Sequence, residues 1–389
     1  MKRFLIATGI LLSIAASANA QSLDELNIQF HGYATQGFLY TTNNNILTTN
    51  SSDGSPVWTE AVVNLSAQPV SKLHISVQAR YFMLGTFGNA ITLDYAMADY
   101  KVNDHFGVRF GKVKTPRGLF NEVQDIDPAY MWSLLPQSVY PISNRNSLLS
   151  HYGGVVFGTL NLSPKLGKLE YRGWGGEMAL GGDDGYFLPQ RELGITYPNG
   201  LSSATYGAAL HWKTPLPGLM IGASADHLNA STSAFVATIS GYGTFNGSFA
   251  LSHVDNEEFF AQYEKRKLMV AGEYSRIPYT YTGQIPGLYT QSGSSDARAW
   301  YAMASYKLTE KLSAGLYDSQ YVDRQSALGP GRYQKDWAVS GRYDFNGFLY
   351  AKAEQHFLDG TALNYDTALN PGGLKPSSRL TILKLGVSF

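Results

Sequence analysis

The 389-residue chain contains no cysteine, which excludes a disulfide framework, a thiolate metal site and a cysteine nucleophile. Charged residues make up only 15% of it, and they cancel at 30 Lys+Arg against 30 Asp+Glu. That balance offers no basic excess for nucleic acid or for an anionic membrane surface. The eight histidines are scattered without metal-ligand spacing, so no metal and no cofactor is expected. No apolar run is long enough for a transmembrane helix. The run from Phe4 to Ala16 is short, preceded by Lys2-Arg3 and followed by Ala18-Asn19-Ala20. These are the charged, apolar and small-residue parts of a cleaved signal peptide, residues 1–20. Residues 21–389 then carry 28 Lys+Arg against 30 Asp+Glu.

What is abundant is glycine (40), tyrosine (26) and aromatic residues generally (13%). An exported chain of this kind is either a soluble all-β protein or a transmembrane barrel, whose alternating spans escape hydropathy scans. The C-terminus favours the barrel. Thr381, Leu383, Leu385, Val387 and Phe389 share one face of a final strand, with Lys384, Gly386 and Ser388 on the other. Strands are expected near 27–41, 57–68, 72–84, 90–101, 105–113, 151–162, 167–177 and 205–213. The second half predicts 218–228, 257–265, 267–276, 297–307, 311–321, 333–344, 347–357 and 379–389. Sixteen strands is an even number suited to a water-filled lumen.

Short turns rich in Pro, Asn and Gly alternate with long loops at 42–56, 114–150, 178–204, 229–256, 277–296, 322–332 and 358–378. With both termini on the side of the short turns, those turns are periplasmic and the long loops extracellular. Within 229–256, Thr244–Val254 has strand character, but counting it would make the number odd. Parity places His74, Ser76, Gln78 and Arg80 on one face and Leu73, Ile75, Val77, Ala79 and Tyr81 on the other. Trp58, Tyr81, Tyr95, Trp212, Tyr263, Tyr274, Trp337 and Tyr343 fall on apolar faces, many near strand ends, as rings at a membrane–water interface would.

The stretch 106–150 organises the rest. A strand with Phe106, Val108 and Phe110 on one face breaks at Lys114-Thr115-Pro116, and some three dozen residues without a clean period follow. The run Arg109-Phe-Gly-Lys-Val-Lys-Thr-Pro-Arg-Gly-Leu-Phe-Asn-Glu122, continued by Leu135-Pro-Gln-Ser-Val-Tyr-Pro141, resembles the strand-to-loop signature of the Gram-negative outer-membrane porins. The resemblance implies a sixteen-stranded antiparallel transmembrane β-barrel whose third loop, about 114–150, folds inward as a constriction. It further implies a homotrimer in outer-membrane lipid, inserted by barrel-assembly machinery, that passes small hydrophilic solutes. In such porins the loop presents acids and the facing wall presents arginines. Here the candidates are Glu122, Asp125 and Asp127 on the loop, Arg80, Arg109 and Arg172 at lumen parity, Lys112, Lys114 and Arg117 at the junction, and Arg145 at the return. Lumen-parity Glu170, Asp226, Glu264, Glu273 and Glu354 interleave with basic positions, which argues against strong anion selectivity.

Two other readings compete. A soluble secreted β-protein could bind glycans through exposed aromatics, and would need no amphiphile to stay dispersed. A barrel lipid hydrolase could use His74, Ser76 and Asn64, but parity turns the first two toward the lumen, and neither G-x-S-x-G nor H-E-x-x-H occurs. Gly181-Gly182-Asp183-Asp184-Gly185 offers calcium-type oxygens without the spacing of a defined calcium loop.

Overall fold

The computed structural model describes residues 26–389, and the signal peptide read at 1–20 lies outside the described residues. Alternating side chains and turn-forming junctions give nineteen strands, joined in one antiparallel sheet. The wall begins with β1 (Gln29–Thr41), β2 (Ser55–Val70), β3 (Leu73–Leu84), β4 (Phe87–Asn103) and β5 (Phe106–Lys114). It continues with β6 (Ser150–Ser163) and β7 (Gly167–Leu180), passes over the two-residue β8 (Ile195–Thr196), and resumes at β9 (Leu201–Lys213) and β10 (Leu219–Leu228). The hairpin β11 (Ser231–Ile239) and β12 (Gly243–Leu251) again stands outside the wall. The circuit is completed by β13 (Val254–Lys265), β14 (Leu268–Ile285), β15 (Tyr289–Lys307), β16 (Leu312–Asp323), β17 (Tyr333–Asp344), β18 (Leu349–Gly360) and β19 (Ser377–Ser388).

β1 pairs with β2 on one side and with β19 on the other, Tyr33 opposite Ser388 and Thr41 opposite Leu380. Sixteen strands therefore form a closed wall with no free edge, the arrangement that leaves no backbone donor or acceptor unpaired in lipid. All sixteen expected strands are present. The segment 229–256 holds two strands where the sequence suggested one. Because β10 pairs directly with β13, Leu228 opposite Val254, that hairpin is excluded from the wall and the even number survives.

Segment 277–296, expected as a loop, is mostly strand. β14 and β15 run for 18 and 19 residues, well beyond the ten or so that cross a bilayer. Their far ends pair with β12, Ser248 opposite Gln284. This extension buries Leu180, Phe187, Tyr197, Leu228, Phe235 and Leu251 in a second apolar cluster at the long-loop end.

Alternation holds along the wall. Leu383 and Phe389 are 52% and 60% exposed on the outer face, while Lys384 between them is 4% exposed inside. Trp212, Trp337 and Tyr343 lie outward as expected, and register puts Tyr81, Tyr263 and Tyr274 on the same face. Trp58 and Tyr95 correct the expectation, for both point inward. Trp58 is fully buried with Leu39, Leu84, Leu380 and Ile382, inward positions that are apolar because the third loop covers them. Tyr95 is turned by a bulge: Gln78 pairs with Tyr95 but Ala79 pairs with Leu93, so Asp94 is the extra residue. Bulges re-aim side chains in this way, and both Asp94 and Tyr95 are buried inside while Leu93 is exposed.

Candidate functional site

Pro116 cannot donate to a ladder, so β5 ends at Lys114 and the chain turns into the lumen. Gly118 makes the turn with φ +58°, and its N–H donates to Ser224 Oγ on β10 at 3.0 Å. A Cβ there would sit 2.5 Å from Glu273 Oε1 and 2.8 Å from the Tyr140 hydroxyl. Gly118→Val is expected to combine this clash with a left-handed backbone penalty of about 1–2 kcal/mol. Limited proteolysis of the intact barrel should then cut within 114–150 where the parent resists.

From Gly118 the loop spans the barrel. Leu119 N–H donates to Glu273 on β14, and the Tyr140 hydroxyl donates to the same carboxylate at 2.6 Å. Ser133 and Leu134 N–H groups donate to Glu354 on β18, and Arg342 on β17 donates to the carbonyls of Pro128 and Tyr130. Met131, Trp132, Leu135 and Tyr140 pack on Tyr301, Met303, Tyr317 and Ala338, an apolar core inside the barrel. On the β14–β18 side the lumen is thus filled.

Nine of the ten candidate residues divide into groups, the tenth, Lys114, being the partner of Asp125. Four are buried and paired against the wall. Arg80 Nε meets Glu60 at 2.6 Å, and Arg145 holds the bulge residue Asp94 through two contacts of 2.8 Å. Asp125 binds Lys114 at 2.8 Å and accepts from Gln78. Asp127 takes Lys352 at 2.9 Å, Lys384, and the Tyr350 hydroxyl at 2.7 Å. Burial by itself would raise the Asp127 carboxyl, but the two ammonium groups and the tyrosine outweigh it and hold it well below the ordinary carboxylate range.

Four others edge open space. Glu122 bridges Arg109 at 3.1 Å and Arg172 at 3.2 Å, and Arg109 also holds Asp99 at 2.6 Å. Arg117 reaches Asp226 on β10 at 3.4 Å. The ninth, Lys112, does not belong to the lumen. Its neighbour Phe110 is 63% exposed on the outer face, and Lys112 lies on that face, 5.5 Å from the Tyr152 ring, donating to the Leu93 carbonyl. Strand parity with Phe110 would have assigned it correctly.

Arg117 and Arg172 each line a separate chamber. The one on the long-loop side, about 530 Å³, has Arg117, Asp226 and Glu258 among its lining residues. The one toward the short turns, about 440 Å³, is lined by Arg172, Glu170, Lys168 and Lys101. Sequence reasoning missed Asp94, Tyr350 and Lys384 as partners of the loop, and Glu60 as the partner of Arg80 on the wall. Lys384 and Glu60 carry no local signal beyond being charges on otherwise apolar strands.

The remaining candidates resolve simply. Ser76 accepts from Asn64 at 3.2 Å, and Asn64 also donates to the Tyr95 hydroxyl, contacts made within the wall. In 181–185, the Gly182 and Asp184 carbonyls accept from Arg191, which occupies the oxygens a calcium ion would use. The Asp184 carboxyl accepts from Tyr186 N–H, and burial pushes it up to about 6. Among the described residues no group of three or more His, Asp or Glu side chains converges as a metal site would.

No protein-family model and no curated protein matches the sequence. Solved structures do. OmpF of Salmonella typhi, in complex with daunomycin, superposes with a TM-score of 0.59 at 13% identity, covering 95% of this chain and 99% of its own. The anion-selective porin of Comamonas acidovorans gives 0.56 at 10% identity, covering 93% and 99%. The trimer form of OmpT, an outer-membrane protein of Vibrio cholerae, gives 0.52 at 12% identity, covering 93% and 99%. At such identities the likeness speaks for architecture, and it spans nearly the whole of each chain. The fold of this protein is the closed sixteen-stranded barrel of the outer-membrane porins.

Proposed function

We propose that the protein is an outer-membrane porin, a passive channel for small hydrophilic solutes and ions. The observation that carries this reading is the seating of loop 114–150 across the lumen, beside which two chambers remain and the wall arginines Arg109 and Arg172 face the loop acid Glu122. A barrel that only anchors or catalyses has no need of an interior loop that narrows it. Opposed charges in a confined, partly dehydrated opening orient dipolar solutes and concentrate counter-ions. The outward aromatic and aliphatic face suits the outer membrane, reached through the leader at 1–20 and the barrel-assembly machinery. No reaction is required of it.

The assembly is a homotrimer, as resemblance implies and as the trimer form of the Vibrio OmpT supports for this architecture. In β6 and β7, Gly153 and Gly176 leave room only for bare backbone, a Cβ on either meeting backbone atoms at 2.1–2.2 Å, and this close-packed stretch of wall is the part we assign to the protomer contact. Planar-bilayer recording of the purified mature protein tests both points. Stepwise openings in groups of three are expected. A correctly folded, heat-modifiable barrel that never conducts would refute the channel.

A further inference from the structure

We propose that the chamber on the long-loop side is a binding site for small amphiphilic cations, molecules with one flat apolar ring and one ammonium group. The proposal rests on the channel reading for its route of access and adds the class of solute that lingers there.

Its volume, about 530 Å³, lies in the range of sites that enclose a small molecule. A lumen serving only water and ions would be lined by polar groups, yet this lining is predominantly apolar. Leu228, Leu251, Ile277 and Met178 contribute to it, and four tyrosines, Tyr186, Tyr279, Tyr321 and Tyr365, arrive from four separate parts of the chain. Tyr186 is braced edge-on by Phe187 with ring centroids 5.2 Å apart, and Phe187 stacks on Tyr197 at 4.4 Å. Tyr186 and Tyr279 pack on the outer apolar cluster and Tyr365 on the cluster around Trp58, so these rings need not be ordered by a ligand, which favours binding.

Charge then selects the head group. Three carboxylates, Asp226, Glu258 and Asp366, line the chamber against one guanidinium, Arg117, which is already committed to Asp226. His151 also lines the chamber, its Nδ1 in hydrogen-bond contact with the Thr115 hydroxyl at 2.9 Å. Tyrosine faces attract cations and stack on flat rings, and the surplus of acid works in the same direction. An organic anion of equal size meets both the acids and the negative ring faces.

The test uses phenethylammonium, butylammonium and benzoate as probes on the full mature protein. Each is added on the long-loop side of a planar bilayer, and each is titrated calorimetrically against the detergent-solubilised barrel. Phenethylammonium is expected to reduce the current and to bind about tenfold more tightly than either of the others. Tyr279→Ala combined with Tyr321→Ala should erase that preference, with heat-modifiability reporting that the barrel still forms; Tyr321→Leu alone, which keeps most of the volume, should weaken it. Equal binding of benzoate, or a preference indifferent to both variants, overturns the site. Conduction without ring-selective binding refutes this inference alone, whereas ring-selective binding without any conduction refutes the channel and leaves the site standing.

Discussion

Asp127→Ala is expected to unseat the third loop. The carboxylate is 2% exposed, as is Lys352, and Lys384 is 4% exposed. Without it Lys352 keeps two carbonyl partners, those of residue 127 and Trp132 at 2.8 Å each, while Lys384 keeps only the face of Trp58, 4.4 Å away. Removing one partner of a buried ionic group strands charge in a dry space, at a cost of about 3–5 kcal/mol. The wall is fixed by sixteen ladders and cannot yield, so the loop gives way and water enters beside β18 and β19. Single-channel recording should show larger, noisier openings, and proteases should cut within 114–150. The triple replacement Asp127→Leu, Lys352→Met and Lys384→Met removes every charge together and should restore quiet openings, since apolar substitutes for a buried ionic cluster are often neutral or stabilising. A quiet single variant, or a triple variant as noisy as the single one, would disprove the latch.

The same contact sets the acid limit. Asp127 titrates in the folded protein well below its ordinary value near 4. For a depressed carboxyl the stabilisation is full above the unfolded pKa and is lost only as pH falls through the folded one. Loop seating should therefore be unchanged from pH 7 to pH 4 and weaken only in stronger acid, as followed by protease sensitivity across that range. Release at pH 5 would contradict it.

Much of this barrel is legible in the sequence because a wall strand writes its own pattern. Ile75, Val77, Ser76 and Gln78 declare their faces by parity, and Ser163-Pro164-Lys165 or Asn346-Gly347 mark where a strand must reverse. The loop at 114–150 is equally plain, since a proline after Lys114 ends pairing and no period follows. Which charges meet is another matter. Asp127 and Lys352 lie 225 residues apart, and nothing local to either says that the loop crosses the lumen at that height. The rule that inward means polar also fails where the loop makes the interior dry, and so Trp58, Leu380 and Ile382 face inward. Asp94 was hidden for a third reason: a bulge shifts parity by one, and a single sequence does not announce it. The external hairpin was visible as strand character in Thr244–Val254. Its partner, with Ser233, Phe235 and Ala237 alternating, was obscured by requiring every strand to belong to the wall.

Glu122→Gln should shift ion selectivity toward anions. Arg109 and Arg172 share this carboxylate, and both are only partly buried, at 16% and 23% side-chain exposure. Their remaining acids are Asp99 on Arg109 and Glu170, 3.8 Å from Arg172 and also bound by Lys213. Removing one negative charge from this cluster leaves two guanidinium groups with weaker local compensation. A permeating monovalent ion about 5 Å away feels a change of about 1–3 kcal/mol at effective dielectric constants between those of water and a protein surface. Salt reduces it, because the Debye length at 0.1 M is about 10 Å and shrinks to about 3 Å at 1 M. Under a gradient of dilute KCl the anion-to-cation permeability ratio should rise about fivefold, which 1 kcal/mol supplies, and the shift should fade as salt is raised. Arg109→Gln with Arg172→Gln should move the reversal potential the opposite way. The alternative is that these charges only pin the loop to the wall. In that case both variants would alter loop stability and leave selectivity where it was, and the reversal potential would not change sign of shift between them. Opposite shifts of comparable size are what a field across the opening demands, because the loop acid and the wall arginines then act on the same ion from facing sides.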